Sequence, residues 1–186
     1  MGNYNEVGGK VFTAIYQCTD NEWDRIPVAP VYGLDFGILD SKDETALVAV
    51  KIYENCIYAK ELIYSNSLSN NKDLAFRMAE NGLNCYSIIY GDWGGLGASR
   101  IRALHTAGEY SWTEPEINKG FGIINARKGK VVDSISKLLQ YDKIFVTDTS
   151  INLRKEMDGY ELNSDGKPKG PDHAIDCLRY AVNSAY

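Results

Sequence analysis

Two long segments of strand character, separated by only two residues, constrain the fold of this 186-residue chain most strongly. The segments read "TALVAVKIY" and "CIYAKELIY", and Glu54 and Asn55 join them. Their Val, Ile and Tyr residues favour extended strands, and so short a connection requires the two strands to run antiparallel. A third segment, "VYGLDFG", precedes them and is an apolar run closed by glycine. The sequence therefore predicts a three-stranded antiparallel meander.

The rest of the chain alternates between helical and strand patterns. Helices are predicted over "NNKDLAFRMAENG", "SRIRALHTAG", "KVVDSISKLLQ", "SINLRKEMDG" and "DHAIDCLRYAV", and strands over "CYSIIYGD" and "KIFVT". Strands that alternate with helices pair in parallel through crossovers. We expect an α/β fold in which the meander and parallel crossovers form a mixed five-stranded sheet flanked by helices. Residues 1–30 are predicted to be a lead-in arm and residues 31–186 one domain.

Composition excludes several classes of protein. No apolar run approaches the ~20 residues of a membrane span, and no signal peptide precedes the first strand, so an intracellular protein is expected. Four cysteines are scattered without a CxxC pair, which favours reduced thiols over disulfides. A structural zinc site is not expected, because no second pair of ligands accompanies His173 and Cys177.

Charge is unevenly distributed along the chain. The net charge is −5, yet residues 119–155 hold eight basic and only three acidic residues, so the remainder has a net charge of −10. A basic segment beside an acidic cluster suits a metal-dependent enzyme that acts on a phosphodiester. Solvated helices of mixed charge would give the same pattern, and charge alone favours that simpler interpretation.

Two aspartates lie in or directly after predicted strands. Asp35 interrupts an apolar strand, where a buried carboxylate must pair with a cation or bind a metal. Asp92 ends the fourth predicted strand and leads into a Gly-rich turn, a place where ligand sites gather in α/β sheets. The alternatives are a surface position on an edge strand for Asp35 and an ordinary turn residue for Asp92.

The last helix carries further acidic residues on one face. At ~100° per residue, Asp172, His173, Asp176 and Tyr180 share a side, and an apolar side faces the core. Asp176 has an alternative partner in Arg179. The predicted core residues of this helix are Ile175, Leu178 and Val182.

Together the strand and helix carboxylates predict a metal site. Hard oxygen ligands select Mg²⁺ or Mn²⁺. Two such ions would activate a water and stabilise a leaving 3′-oxygen.

The segments "YGLDFG", "DETALVAV", "IIYGD", "KIFVT" and "DHAIDCLRYAV" together resemble the C-terminal nuclease domain of the phage terminase large subunit, over residues 31–186. The resemblance implies an RNase H-like fold and a metal-dependent endonuclease that cuts double-stranded DNA during genome packaging with little sequence preference. It also implies the host bacterial cytoplasm as location, and the small terminase subunit and the portal as partners of the full-length protein, with no membrane. The lead-in around "GGKVF" resembles the linker that follows the motor domain in that family. The motor domain itself is not expected in this chain, which contains no GxxxxGK[ST] motif.

The resemblance also assigns residues. Asp35, Asp92 and Asp176 match the metal-binding acids of the family, and Asp172 and His173 are accessory candidates. Whether Asp172 or Asp176 contacts metal more directly is left open. The residues expected to contact DNA phosphates are Lys119, Arg127, Lys128, Lys130, Lys167 and Lys169.

Two other functions fit the sequence. One is a different RNase H-like enzyme, such as a junction resolvase, a transposase or an RNase H. The other is a non-catalytic module that docks onto the packaging motor. Metal binding and substrate choice distinguish them.

Overall fold

A computed structural model describes residues 9–37, 43–68, 70–94, 97–105 and 120–186. The strands are β1 (Tyr16–Cys18), β2 (Val31–Asp35), β3 (Thr45–Tyr53), β4 (Cys56–Ser65), β5 (Ile89–Gly91), β6 (Ile123–Asn125) and β7 (Lys143–Thr147). The helices are α1 (Asp20–Arg25), α2 (Asn71–Glu80), α3 (Gly97–His105), α4 (Val131–Leu138), α5 (Ile151–Gly159) and α6 (His173–Ala185). None of the helices in these ranges is long and apolar enough to cross a membrane.

The strands form one mixed sheet in the order β1-β7-β4-β3-β2-β5-β6. The predicted meander is confirmed, because β3 pairs antiparallel with both β2 and β4. Its tight turn uses Glu54 and Asn55, whose φ angles are 49° and 57°. Positive φ at both central residues is the geometry of the two-residue hairpin turn that follows the right-handed strand twist. The predicted crossovers are confirmed by the parallel pairs β2–β5 and β4–β7.

The strand count differs from the expected five. The sheet has seven strands, and the two that the sequence did not predict, β1 and β6, lie at its opposite edges. Each has three residues, "YQC" and "IIN", too few to display an alternating pattern. Helix α1 was also not predicted.

Two apolar layers cover the sheet. Helices α4, α5 and α6 pack on one face through a core that includes Ile135, Leu153 and Leu178. Helices α2 and α3 pack on the other face with Leu74 and Ile101. Because β3 is buried on both faces from Thr45 to Lys51, its sequence is a continuous apolar run rather than an alternating one.

Part of the predicted lead-in arm packs against the domain. Phe12 is 1% exposed and belongs to the core beneath α5 and α6. The Val11 amide donates to the carbonyl of Tyr160 at 3.1 Å, and β1 pairs in parallel with β7. Val11 and Phe12 therefore pack on the domain, and β1 adds an edge strand to the same sheet that carries β2.

Candidate functional site

The two strand aspartates lie side by side at one end of the sheet. β2 and β5 are parallel neighbours, and Leu34 is in register with Gly91. Asp35 and Asp92 each follow at the next position. Because the carboxyl ends of parallel strands meet at the same sheet edge, the two carboxylates are brought together by the pairing itself. Leu34 packs in the core on the α2–α3 side, so Asp35 points to the opposite face, as its position in the sequence predicts.

Helix α6 crosses that face directly over β2. Gly33 allows the close approach: a Cβ there would lie 1.8 Å from the Cys177 carbonyl oxygen. The predicted apolar side of α6 is confirmed, since Ile175, Leu178 and Val182 are all 0% exposed. Its polar side consequently faces the strand end that carries Asp35.

Three carboxylates at this end of the sheet each have a cationic partner. His173 lies 2.9 Å from Asp35, measured from Nδ1 to Oδ2. Lys128 Nζ donates to Asp92, and the amide of Gly94 donates to the other oxygen of Asp92 at 2.6 Å. The three pairs are Asp35–His173, Asp92–Lys128 and Asp176–Arg179.

Asp176 is held more rigidly than the other two. Arg179 is 3% exposed, and its Nε donates to Ser134 Oγ of α4 at 2.6 Å while a terminal nitrogen donates to Asp176. The Tyr180 hydroxyl donates to the second oxygen of Asp176 at 3.1 Å. The Asp176–Arg179 pairing considered from the sequence is thus present, and it does not remove Asp176 from the site.

The pKa values of these side chains show that the carboxylates lie close enough to repel one another. Burial, and then repulsion from Asp176, raise the pKa of Asp172 to about 6. Burial also raises the pKa of Asp176, with the Asp35 carboxylate adding to the rise and Arg179 opposing it. The hydrogen bond to Asp35 is the main cause that raises the pKa of His173 to about 9, so this imidazole is protonated at neutral pH. Burial is the main cause of the raised pKa of Tyr180, and Asp176, Asp35 and Asp92 add to the rise.

This donor set has the chemistry of a site for a hard divalent cation. Carboxylate oxygens are the ligands that Mg²⁺ and Mn²⁺ prefer. A bound cation also relieves the electrostatic repulsion between neighbouring carboxylates. Within the described ranges, however, no three His, Cys, Asp or Glu side chains are grouped closely enough to hold an ion. Asp35, Asp92 and Asp176 are each turned toward a cation of the protein instead.

Asp172 occupies the N-cap position of α6. Its side chain makes no capping hydrogen bond, and its backbone carbonyl accepts from the Asp176 amide at 2.7 Å. The carboxylate of Asp172 thus lies in the field of Asp176 and Asp35 without serving the helix.

The predicted DNA-contacting residues fall into two adjoining places. Arg127, Lys128 and Lys130 lie on the exposed segment between β6 and α4, and Lys167 and Lys169 lie on the loop before α6. A Cβ at Gly166 would lie 2.8 Å from Val132, so this loop sits beside the start of α4. Lys169 pairs with Glu161 at 3.0 Å. Lys119 lies outside the described residues.

Sequence reasoning placed Lys128 among phosphate contacts and missed its pairing with Asp92. The pairing arises because β6 is parallel to β5, with Asn125 in register with Gly91, and the Ala126 amide donates to the Gly91 carbonyl. Since β6 itself was not predicted, no signal in the sequence located Lys128 there. Glu156, whose carboxylate accepts hydrogen bonds from the start of α6, was also missed.

The fold and the arrangement of acids define an α/β domain of the RNase H-like type, with aspartates on two parallel strand ends and on a helix laid over them. The chain is similar to the nuclease domain of g2p, the large terminase of bacteriophage SPP1, in a crystal structure with bound Mn. The TM-score is 0.66 at 25% identity, over 91% of this chain and 96% of that one.

Other solved structures have the same fold at lower identity. The P22 large terminase nuclease domain matches with a TM-score of 0.58 and 16% identity, over 94% of this chain and 91% of that one. The large terminase nuclease of the thermophilic phage G20c, with bound magnesium, matches with a TM-score of 0.57 and 16% identity, over 85% of this chain and 82% of that one. No protein-family model and no curated protein sequence matches the chain. The predicted resemblance to phage large-terminase nuclease domains is confirmed.

Proposed function

We propose that this domain is a metal-dependent endonuclease that cleaves double-stranded phage DNA during genome packaging. The observation that carries the proposal is the adjacent placement of Asp35 and Asp92 on parallel strand ends beneath Asp176 of α6. The similarity to the SPP1 nuclease domain, solved with Mn, supports it.

In this proposal Asp35, Asp92 and Asp176 hold Mg²⁺ or Mn²⁺, and Asp172 contributes as an accessory ligand. Two bound ions would supply an activated water and stabilisation of the leaving 3′-oxygen. The protein's own cations then change roles. His173 and Lys128 exchange their carboxylate partners for phosphate oxygens of DNA, whereas the buried Arg179 stays on Asp176 and keeps it oriented.

DNA binding is proposed to follow the basic segment that begins at Lys128 and continues through Lys130 to the loop with Lys167. Contacts of this kind touch phosphates and carry no sequence information. Substitution of these lysines by alanine is expected to weaken duplex binding uniformly and to lower the dependence of affinity on salt, by about one unit of slope for each lost contact.

The proposal extends to the full-length protein. Residues 1–30, part of which packs into this domain, are proposed to lead to it from a packaging motor, and the small terminase subunit and the portal are proposed partners in the host bacterial cytoplasm. These assignments rest on the resemblance.

The decisive experiment is incubation of supercoiled plasmid with the domain and Mn²⁺, beside the variants Asp35→Asn and Asp176→Asn. Asp158→Asn is the matched control, because Asp158 is 63% exposed and pairs with Lys10 on the surface. We expect nicking and linearisation by the wild type and the control, and none by the two site variants. An inert wild type that still binds DNA would favour a docking module instead. Preference for a four-way junction or an RNA–DNA hybrid would indicate another RNase H-like enzyme.

A further inference from the structure

Helix α6 carries three of the candidate site residues, yet its own first residues do not secure its N-terminus. The first amides of an α-helix have no partner within the helix and are commonly bonded by the N-cap side chain. Asp172 occupies that position and makes no such bond. The amides are instead bonded by a residue from another helix.

That residue is Glu156 of α5. Its Oε2 accepts hydrogen bonds from the amides of Ala174 at 2.9 Å and Ile175 at 3.1 Å, and its Oε1 accepts one from the Tyr64 hydroxyl at 2.8 Å. Glu156 is 7% exposed. Burial raises the pKa of Glu156, whereas the hydrogen bonds from Tyr64 and the two amides favour the charged form. A buried carboxylate with three donors is fixed in place.

The same arrangement recurs one helix earlier. The N-cap of α5, Ser150, also makes no capping bond, and Glu61 of β4 accepts from the Leu153 amide at 2.6 Å and from Asn152 at 2.8 Å. Two glutamates thus act in series: Glu61 fixes the start of α5 to the sheet, and Glu156 fixes the start of α6 to α5. The two bonded amides of α6 directly follow His173.

We propose that Glu156 is a positioning residue for the candidate metal site, which caps α6 in place of Asp172 and leaves the Asp172 carboxylate available to the site. The inference rests on the proposed nuclease function for its metal-binding consequence. Residues that orient metal ligands without touching the metal typically lower metal affinity by about 10- to 100-fold when they are removed. Glu156 touches neither substrate nor metal in this proposal, and it acts through His173 and Asp176.

The test compares Glu156→Ala, Glu156→Gln and Asn70→Ala by titration of Mn²⁺ in a calorimeter and by hydrogen exchange of the α6 amides. For Glu156→Ala we expect an Mn²⁺ dissociation constant raised about tenfold or more, with faster exchange at Ala174 and Ile175. Glu156→Gln keeps an oxygen that can accept from both amides, and the Tyr64 hydroxyl can accept from the new NH₂ group. This variant should therefore restore both readouts.

Asn70→Ala is the matched control, because it removes the bond from the Asp73 amide at the N-cap of α2, on the opposite face of the sheet from α5 and α6. It should lower thermal stability while its Mn²⁺ affinity stays near that of the wild type. Wild-type affinity in Glu156→Ala, or an equal loss in Asn70→Ala, would overturn the positioning role.

If the wild type itself binds no Mn²⁺, the nuclease proposal fails, and the exchange data still test Glu156. Faster exchange at Ala174 and Ile175 in the alanine variant alone would support the cap. Unchanged exchange would overturn it.

Discussion

Replacement of Gly33 by alanine should damage the sheet and the candidate site together. The added Cβ would lie 1.8 Å from the Cys177 carbonyl oxygen and 2.8 Å from its Cα, and real Cβ atoms essentially never approach within 3.0 Å. The obstructing atoms are backbone, so no side chain can rotate away and α6 must shift bodily. Overpacking of this kind costs about 1–3 kcal/mol, and the absence of a flexible neighbour places Gly33→Ala at the upper end, about 3 kcal/mol. For a domain of this size that lowers Tm by roughly 6–12 °C.

The shift has a second consequence, because Asp176 precedes Cys177 in the chain. A misplacement near 1 Å is enough to lower a catalytic rate about 100-fold, and a displaced Asp176 should also bind Mn²⁺ more weakly. Thermal unfolding and Mn²⁺ titration of Gly33→Ala therefore test packing and site geometry in one variant. Gly122→Ala is the control, since nothing lies within 4 Å of a Cβ there. A Gly33→Ala protein with wild-type Tm and Mn²⁺ affinity would refute the close approach of α6 to β2.

Three further outcomes follow from the same contacts. Leu178→Ala, at a fully buried position of α6, should lower the free energy of unfolding by about 2–5 kcal/mol in denaturant titration. The metal-free domain should lose stability as pH rises from 6.5 to 9, because the folded-state pKa of His173 is raised from 6.5 to about 9 by Asp35. The loss, on the order of 1–2 kcal/mol after solvent screening, should disappear in His173→Gln. Lys128→Met should tighten Mn²⁺ binding up to about fivefold by releasing Asp92, and should weaken duplex binding.

Each outcome has a result that would contradict it. A loss below about 1 kcal/mol in Leu178→Ala would mean that the α6 core is poorly packed. The same pH profile in His173→Gln would assign the alkaline loss to another group. Unchanged Mn²⁺ affinity in Lys128→Met would show that the lysine does not compete with metal for Asp92.

Most of the elements that the sequence predicted have enough residues to show a period, whereas β5, with three, was predicted from the longer run "CYSIIYGD". Strands β3 and β4 span 9 and 10 residues, and α6 displays its apolar side over 13. Helix α1 was missed although "TDNE" carries a readable signal. Thr19 accepts from the Glu22 amide, and the Glu22 carboxylate accepts from the Thr19 amide, as in a capping box.

The acids of the candidate site were predictable from the sequence, as were His173 and Arg179 beside them on α6, whereas the places of Lys128 and Glu156 were not. Asp35, Asp92 and Asp176 stand out because a strand, a strand end and a helix face each restrict where a carboxylate can point. Lys128 and Glu156 come from segments whose relation to the site depends on tertiary structure: an edge strand of three residues and the packing of α5 beneath α6. The local pattern of residues in the sequence does not predict such tertiary contacts.

The position of β1 also determines when its native partner becomes available during synthesis. β1 lies at one edge of the sheet and pairs with β7, so residues 16–18 meet residues 145–147. The β3–β4 hairpin, by contrast, joins neighbours in sequence and closes quickly. A chain that emerges from the ribosome must hold Phe12 and β1 without their native partners until β7 has been synthesised. Residues 16–18 therefore wait longer for their native partner during synthesis than the strands of the β3–β4 hairpin do.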